Sequence, residues 1–533
     1  MNMMKIGRLS AGMLMAASLL AGCGNSNADN QAGPSNRAAE DGAKQVSFLW
    51  NGKFSSKIPE LKSYGDVAAY QEIQKRTGIS IDFQDNDTAN LSQFNIMLAS
   101  GMYPDIIYVP STYPGGVAKL IEDGVAIPLN DLIDQYAPNY KKLLDANPEI
   151  KKQVMLDDGT IAKFPQVNLD LRRNAWAGTM IRQDWLDQAG LQMPETIDEW
   201  YAALTAFKDN DMNGNGDTTD EIPLGDQNGM GSITSFSTAY GLLVTFQVNP
   251  ETGKITYGPY EPAFKDYLET MHKWYKEGLI DSEFAATDKK GFEAKFSNNI
   301  VGAYGGTISG INTYKNQMQA AIPDFKLVGV SPPVGPAGKS FSAAEQLAQY
   351  VPLEGAVVSS QAKDLETVLK LLDYMISPEG SDLQNWGIEG ESYTVENGTK
   401  TFTDAVWKDP NYESRVAVSR YAYPTSGMVK VMDYDAWASF ELEHPEAQEA
   451  NERWFNADRT LLLPPLLFSG SESQEISKIM SEADTYMKEM LLKFVMGNEP
   501  LEKFGTYRDT LQKMNIEKAI AIYQTAYDRY QQR

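Results

Sequence analysis

Two periods of apolar positions alternate along this chain, and the switches between them mark its building units. Val46-Ser47-Phe48-Leu49-Trp50 is a strand-like run that stops at Asn51-Gly52. A helical pattern follows over 67–76, ends at Gly78 and gives way to the alternating Ile79-Ser80-Ile81-Asp82-Phe83. Strand, helix and strand in that order predict a β-α-β unit and hence a parallel sheet. A second unit comes next, with a helix continuing over 94–98 to Gly101 and a strand over 103–109. Gly124 and Pro128 predict a turn before a short helix over 129–136. Leu365, Val368, Leu369, Leu372 and Met375 then recur at helical spacing until Ser377-Pro378. The last part reads as helical throughout. Met480, Ala483, Met487, Met490 and Phe494 line one face, Gly497 and Pro500 break it, and Ile520, Tyr523, Tyr527 and Tyr530 line another. Such methionine and aromatic stripes predict core faces. The fold class is therefore α/β with a helix-rich C-terminal part, and no internal repeat is visible.

The first residues do not belong to that pattern. Lys5 and Arg8 precede a short apolar stretch, and the stretch ends at Leu20-Ala21-Gly22-Cys23. A basic start, a brief apolar core and small residues before a cysteine predict a lipoprotein signal peptide over 1–22, cleaved so that Cys23 carries a diacylglyceryl group. Cys23 is the only cysteine, so it suits lipid attachment better than structure, and no disulfide within the chain is possible. Residues 23–44 are small and polar and predict a flexible tether. The remainder, 45–533, is longer than one hydrophobic core usually serves, so two lobes are expected. The formal charge of −24 makes nucleic acid an unsuitable partner. No later segment is long and apolar enough to span a bilayer, which leaves the lipid as the anchor to the outer face of the cell membrane. A monomer is expected.

Three stretches carry a resemblance that covers nearly all of the chain after Cys23. They are Ala99-Ser100-Gly101-Met102-Tyr103-Pro104-Asp105-Ile106-Ile107, the run Ile181-Arg182-Gln183-Asp184-Trp185-Leu186 with Leu191, Pro194, Thr196 and Glu199-Trp200, and Trp386-Gly387-Ile388-Glu389-Gly390 through Tyr393-Thr394-Val395. Together they resemble segments of the family 1 extracellular solute-binding proteins of bacterial ABC importers, in particular the long LplA-type lipoproteins of Gram-positive bacteria tied to oligosaccharide uptake. The resemblance implies a two-lobed periplasmic-binding-protein-like fold of type II. Lobe 1 is expected over about 45–170 plus part of 340–400, and lobe 2 over about 171–340 plus 400–533. It also implies an oligosaccharide ligand and ABC transporter permease subunits as partners.

The densest set of oxygen ligands is Asp209-Asn210-Asp211-Met212-Asn213-Gly214-Asn215-Gly216-Asp217-Thr218-Thr219-Asp220-Glu221. Calcium takes six to eight hard oxygens around a tight turn, and glycine allows the bend. Two registers compete. One starts at Asp209 with Gly214 sixth, as in an EF-hand loop. The other starts at Asp211 with Gly216 sixth, the Asp217 carbonyl seventh and Asp220-Glu221 closing the shell. The second resembles the family's DxNGNGxxDEIP calcium loop, with one residue more before Asp220-Glu221. The expected ligands of a structural calcium ion are Asp211, Asn213, Asn215, Asp217, Asp220 and Glu221, with Asp209 in the alternative register. Thr196 and Glu199 predict a capping box at the start of the helix that carries the loop.

Sugar is bound by flat aromatics that cover the apolar faces of pyranose rings and by planar groups that bond hydroxyls. In α/β folds such groups gather at strand ends. The candidates are Trp50 and Asn51 after the first strand, Asp105 before another, Trp176 where the chain passes between lobes, and Trp386, Glu389 and Tyr393 beyond the helix near 376. Trp437, in an aromatic loop with Tyr434, completes the set. Trp185 and Trp200 fall within helical periodicity and are assigned to packing. Tyr304-Gly305-Gly306 is a strand-end glycine turn that lets backbone approach a ligand. The rival reading is a secreted glycoside hydrolase or polysaccharide lyase, which needs paired carboxylates or a tyrosine beside a base. His272 and His444 have no triad or zinc spacing, and no phosphate-cradling glycine motif is present. No chemistry is therefore expected of this chain. Two lobes close over the sugar and the closed form docks on the permease.

Overall fold

The computed structural model describes residues 44–50, 52–85, 91–227, 230–424 and 428–533; Cys23, the signal segment, all but the last residue of the tether, and Asn51 lie outside them. The early β-α-β pattern folds as expected. Lys44–Leu49 lies between Ile79–Gln84 and Ile106–Val109 and runs parallel to both, with the helices Ala68–Thr77 and Ser92–Ser100 as crossovers. Gly78 ends the first of these helices in a left-handed conformation, φ 68°, which a side chain would strain. All four residues of Ile106–Val109 are buried, as in a strand covered on both faces. The sheet's remaining edge is Gly355–Val358, antiparallel to Ile106–Val109. That strand comes from far along the chain, after the second sheet has been built.

The second sheet has the order Leu327–Gly329, Ala177–Arg182, Val301–Thr307, Ile222–Leu224. Its first three members pair antiparallel, and Ile222–Leu224 runs parallel to Val301–Thr307. Each sheet has its own core. Phe48, Ile73, Ile106, Tyr140 and Leu372 belong to one buried cluster, and Trp185, Trp200, Phe207, Met271 and Leu491 to another. The architecture is thus a two-lobed α/β fold. The helix Gly470–Met496 buries Ala483, Met487, Met490 and Phe494 in the second core, so the methionine stripe is packing. Trp185 and Trp200 are likewise buried there. Among the described residues no helix is long and apolar enough to cross a membrane.

Buried amides tie together the passages of chain between the halves. Gln166–Asn168 pairs in parallel with Lys430–Met432. The Asn174 side chain accepts from Asn168 Nδ2 at 3.1 Å and donates to the carbonyls of Gln346 and Gln349 at 2.8 and 2.9 Å. Asn451 donates to the carbonyls of Arg172 and Ala175 at 2.8 and 3.0 Å. Residues 421–423 and 428–429 pack with the first half. Ala69 N–H donates to Tyr421 O and Tyr423 N–H to Gln384 O, and Met428 and Val429 join the first core. Beyond Asp433, Trp437, Ala450 and Trp454 pack with the second half.

Candidate functional site

Of the nine tryptophans, all among the described residues, only Trp176 and Trp407 are exposed, at 44% and 41%. Trp176 sits between the crossing segment and the strand Ala177–Arg182. Beside it opens a cavity of about 410 Å³. The floor is made by two paired strands in which the facing residues are small: Gly178 opposes Gly306, and Thr179 opposes Gly305. The floor has no room for side chains. A Cβ on Gly178 would stand 2.4 Å from the Trp454 indole, and one on Gly306 would stand 2.5 Å from the Tyr304 ring. Trp454, on the helix Pro445–Phe455, is fixed by an Nε1–H bond to Val330 O at 3.0 Å. The walls come from Ser235 and Thr238 on two short helices and from Ser342 and Gln346 near the crossing. The sequence alone points to Trp176 and to Gly305-Gly306, which lie within the strand Val301–Thr307 where a strand-end turn was expected. It does not reveal Trp454, Ser235, Thr238, Ser342 and Gln346, which carry no motif and are brought together only by the pairing of distant strands.

The other proposed sugar contacts lie elsewhere, and several are corrected by burial. Trp50 is 2% exposed and enclosed by Phe48, Tyr64, Tyr70 and Phe83 at centroid distances of 4.7–5.2 Å. Both faces of its ring are thereby used for packing. Trp386 is 1% exposed, stacks on Phe402 at 4.6 Å and donates from Nε1 to Asp433 at 2.9 Å. Trp437 is buried on the helix Tyr434–Glu441, where an aromatic loop was expected. Tyr393 is buried in a hairpin, and Glu389 is exposed beside it. Asp105 accepts from the Ser47 N–H and hydroxyl at 2.8 and 2.7 Å, so its carboxylate braces the start of its own strand. None of these lines the Trp176 cavity. Asn51 lies outside the described residues.

Of the charged groups near the cavity, Glu345 is exposed between the lining residues Ala344 and Gln346, and others are buried or paired. Arg172 pairs with Asp170 at 2.5 Å and lies 4.1 Å over the Tyr434 ring. Lys430 is fully enclosed at the crossing, donating to Tyr423 O at 2.7 Å and Gln384 O at 3.2 Å; burial pushes its amine well below the usual lysine range. Asp226 lies behind the floor, 1% exposed, and burial pushes its carboxyl up to about 6.

The acidic loop folds around Asp211. Its Oδ1 accepts the N–H groups of Gly214 and Asn215, and its Oδ2 that of Gly216, at 2.7–3.1 Å. Gly214 and Gly216 take φ of 75° and 88° to let those groups converge. Asp209 instead ends the helix Ile197–Asp209 and is exposed near Lys208. The register that starts at Asp211 is the one the hydrogen bonds support. Asp220 accepts from the Asn213 and Asn215 amides at 3.2 and 2.8 Å. Hydrogen bonds from Thr219 hold the Asp217 carboxyl below its ordinary range. Glu221 Oε1 accepts the Met212 N–H at 2.8 Å, whereas its Oε2 is buried with no hydrogen-bond partner. Among the described residues no three Asp, Glu, His or Cys side chains converge, so any ion held here also draws on the Asn amides and backbone carbonyls. A hard-oxygen loop with one orphaned carboxylate oxygen fits calcium chemically. The capping box of Thr196 and Glu199 forms as expected and fixes the helix that leads into it.

The loop and the cavity stand at opposite ends of one sheet. Ile222, just after the loop, pairs with Val301, whereas the cavity floor lies at Gly305 and Gly306 of the same strand. Four to five residues of strand separate them by about 13–17 Å.

The model of a family described as bacterial extracellular solute-binding protein matches residues 59–382. The fructooligosaccharide ABC transporter substrate-binding protein FusA of Streptococcus pneumoniae is 24% identical over 483 residues, 86% of each chain. The polygalacturonan/rhamnogalacturonan-binding protein YtcQ of Bacillus subtilis is 24% identical over 530 residues, 97% of each. Solved structures of the same shape include an EF-hand mutant of FusA with fructo-nystose, TM-score 0.67 at 23% identity, and the alginate-binding protein AlgQ2 without calcium ion, TM-score 0.69 at 24%. Both cover 92% of this chain and 99% of the other.

Proposed function

Because this chain belongs to the bacterial extracellular solute-binding protein family, we propose that it captures an oligosaccharide and hands it to the permease of an ABC importer. The observation that carries the reading is the exposed Trp176 ring beside a cavity floored by Gly178 and Gly306. An indole face covers the apolar face of a sugar, and a floor of small residues lets a flat ring lie down on it. The cavity is flanked by the chain crossings, so hinge motion changes its shape. Relatives named for a fructo-oligosaccharide and for a polygalacturonan support carbohydrate as the class.

Two further parts belong to this reading. Cys23 anchors the protein through lipid to the outer face of the membrane. The Asp211 loop holds a structural calcium ion through Asp211, Asn213, Asn215, Asp217, Asp220 and Glu221; a bound calcium would neutralise clustered charge and stiffen the turn, far from the sugar. An EF-hand mutant of the related FusA supports that role.

Binding without chemistry is tested by incubating the purified protein with oligosaccharide mixtures and recovering the bound fraction. The expected outcome is capture and release of unaltered sugar. Release of new reducing ends over time would establish a hydrolase or lyase instead.

A further inference from the structure

Three hydroxyls beside the Trp176 cavity share one bias. Thr179 donates its hydroxyl proton to Ser235 Oγ at 3.1 Å, Ser235 donates to Ser232 O at 2.7 Å, and Thr238 donates to Ser235 O at 2.9 Å. Each of these hydroxyls has given its proton to the protein. What remains on their oxygens is acceptor capacity. No Asp, Glu, Lys, Arg or His is among the described residues lining the cavity, and the two residues between Gln227 and Met230, Asn228 and Gly229, are uncharged. A negative charge lies behind the floor. Asp226 accepts the Ser232 N–H at 2.7 Å, and Ser232 accepts the Gly305 N–H at 2.8 Å.

We propose that the oligosaccharide this site takes is neutral, without uronate, sulfate or phosphate groups. The inference rests on the carbohydrate reading above and narrows it. A sugar hydroxyl brings its own proton and can donate to the oxygens of Ser235 and Thr238. A carboxylate brings none. Placed here it would lose its water and meet the spent hydroxyls of Thr179, Ser235 and Thr238 and only neutral donors at Ser342, Gln346 and the Trp176 indole, with no cation in the lining to balance its charge. Arg172 pairs with Asp170, lies over the Tyr434 ring and is not among the residues lining the cavity. The chain's net charge of −24 adds a repulsion that every anionic ligand meets on approach.

The test offers the purified protein two matched pools of tri- to hexasaccharides, one from inulin, mannan and xyloglucan, the other from pectate and alginate. Bound species are read by native mass spectrometry, and calorimetry gives their affinities. Adducts are expected from the neutral pool, with a preference of at least about tenfold, and raising sodium chloride should change their affinity by less than about twofold because no ion pair is made. Tighter binding of a uronate oligosaccharide would overturn the inference while leaving the carbohydrate reading standing. Adducts from neither pool would overturn both.

Discussion

Asp226 Oδ2 accepts the backbone N–H of Ser232 at 2.7 Å, while its Oδ1 is buried without a hydrogen-bond partner. A half-satisfied carboxylate therefore props the short helix Gly231–Ser235 against the strand that floors the cavity, through the Ser232 hydroxyl and Gly305 N–H. Such a group is costly to keep ionised, and that cost is measurable.

Burial raises the Asp226 carboxyl from an ordinary 3.8 to about 6 in the folded state. Between those values the folded chain binds the proton more strongly than the unfolded one. The stabilisation this group contributes is therefore complete below the unfolded value and is lost as pH rises through about 6. Asp226→Asn, which keeps an acceptor for the Ser232 N–H, is expected to raise stability at neutral pH by on the order of 1–3 kcal/mol and to flatten the slope below it. Urea unfolding across this range checks it; parallel pH profiles for the two proteins would reject the assignment.

The tryptophans separate function from folding. Trp176→Ala should weaken binding of a captured oligosaccharide by about 1–3 kcal/mol with little change in unfolding midpoint. Trp50→Ala and Trp386→Ala should destabilise the fold by about 3–5 kcal/mol, since each removes a ring from a filled core. Calorimetry and denaturation on the same preparations decide it. Full affinity in Trp176→Ala would move the sugar site elsewhere.

Asn174 ties two crossings with three hydrogen bonds, so Asn174→Ala leaves the Gln346 and Gln349 carbonyls and the Asn168 amide each short of a partner. Unmet buried polar groups of this kind cost about 1–3 kcal/mol. A lower denaturation midpoint with an unchanged denaturant slope is expected. No change would mean that water replaces the amide and that the tie is not structural.

A calcium ion held only by the folded state adds about 2.7 kcal/mol at a hundredfold excess over its dissociation constant. Chelation should lower the melting temperature, and Asp211→Ala should reproduce that loss and abolish the response to added calcium. Sugar affinity should hold below the melting range, because the loop and the cavity occupy opposite ends of the strand Val301–Thr307. A melting curve indifferent to chelator and calcium alike would show that the loop holds no ion.

The proposed lipid anchor depends on a single thiol, that of Cys23. Cys23→Ala is expected to abolish incorporation of labelled fatty acid and to shift the protein from the membrane fraction to the medium or to an unprocessed precursor. Continued membrane association with label would place the anchor at another residue.

What the sequence determined by itself was local in origin. The β-α-β order from Lys44 to Val109, the capping box of Thr196 and Glu199, the turn that gathers N–H groups on Asp211 and the packing role of Trp185 and Trp200 all depend on spacing within a few residues. Periodicity and turn chemistry act over that range, so they can be read from neighbours alone. Tertiary structure decided which aromatic rings face solvent. Trp50 follows a strand much as Trp176 precedes one, yet Tyr64, Tyr70 and Phe83 close over the first, while the second stands beside paired glycines from 178 and 306. The edge strand Gly355–Val358 and the cavity walls at Ser235 and Gln346 have the same origin. Burial is a property of residues that meet across tens to hundreds of positions, and no short window of sequence contains both partners of such a contact.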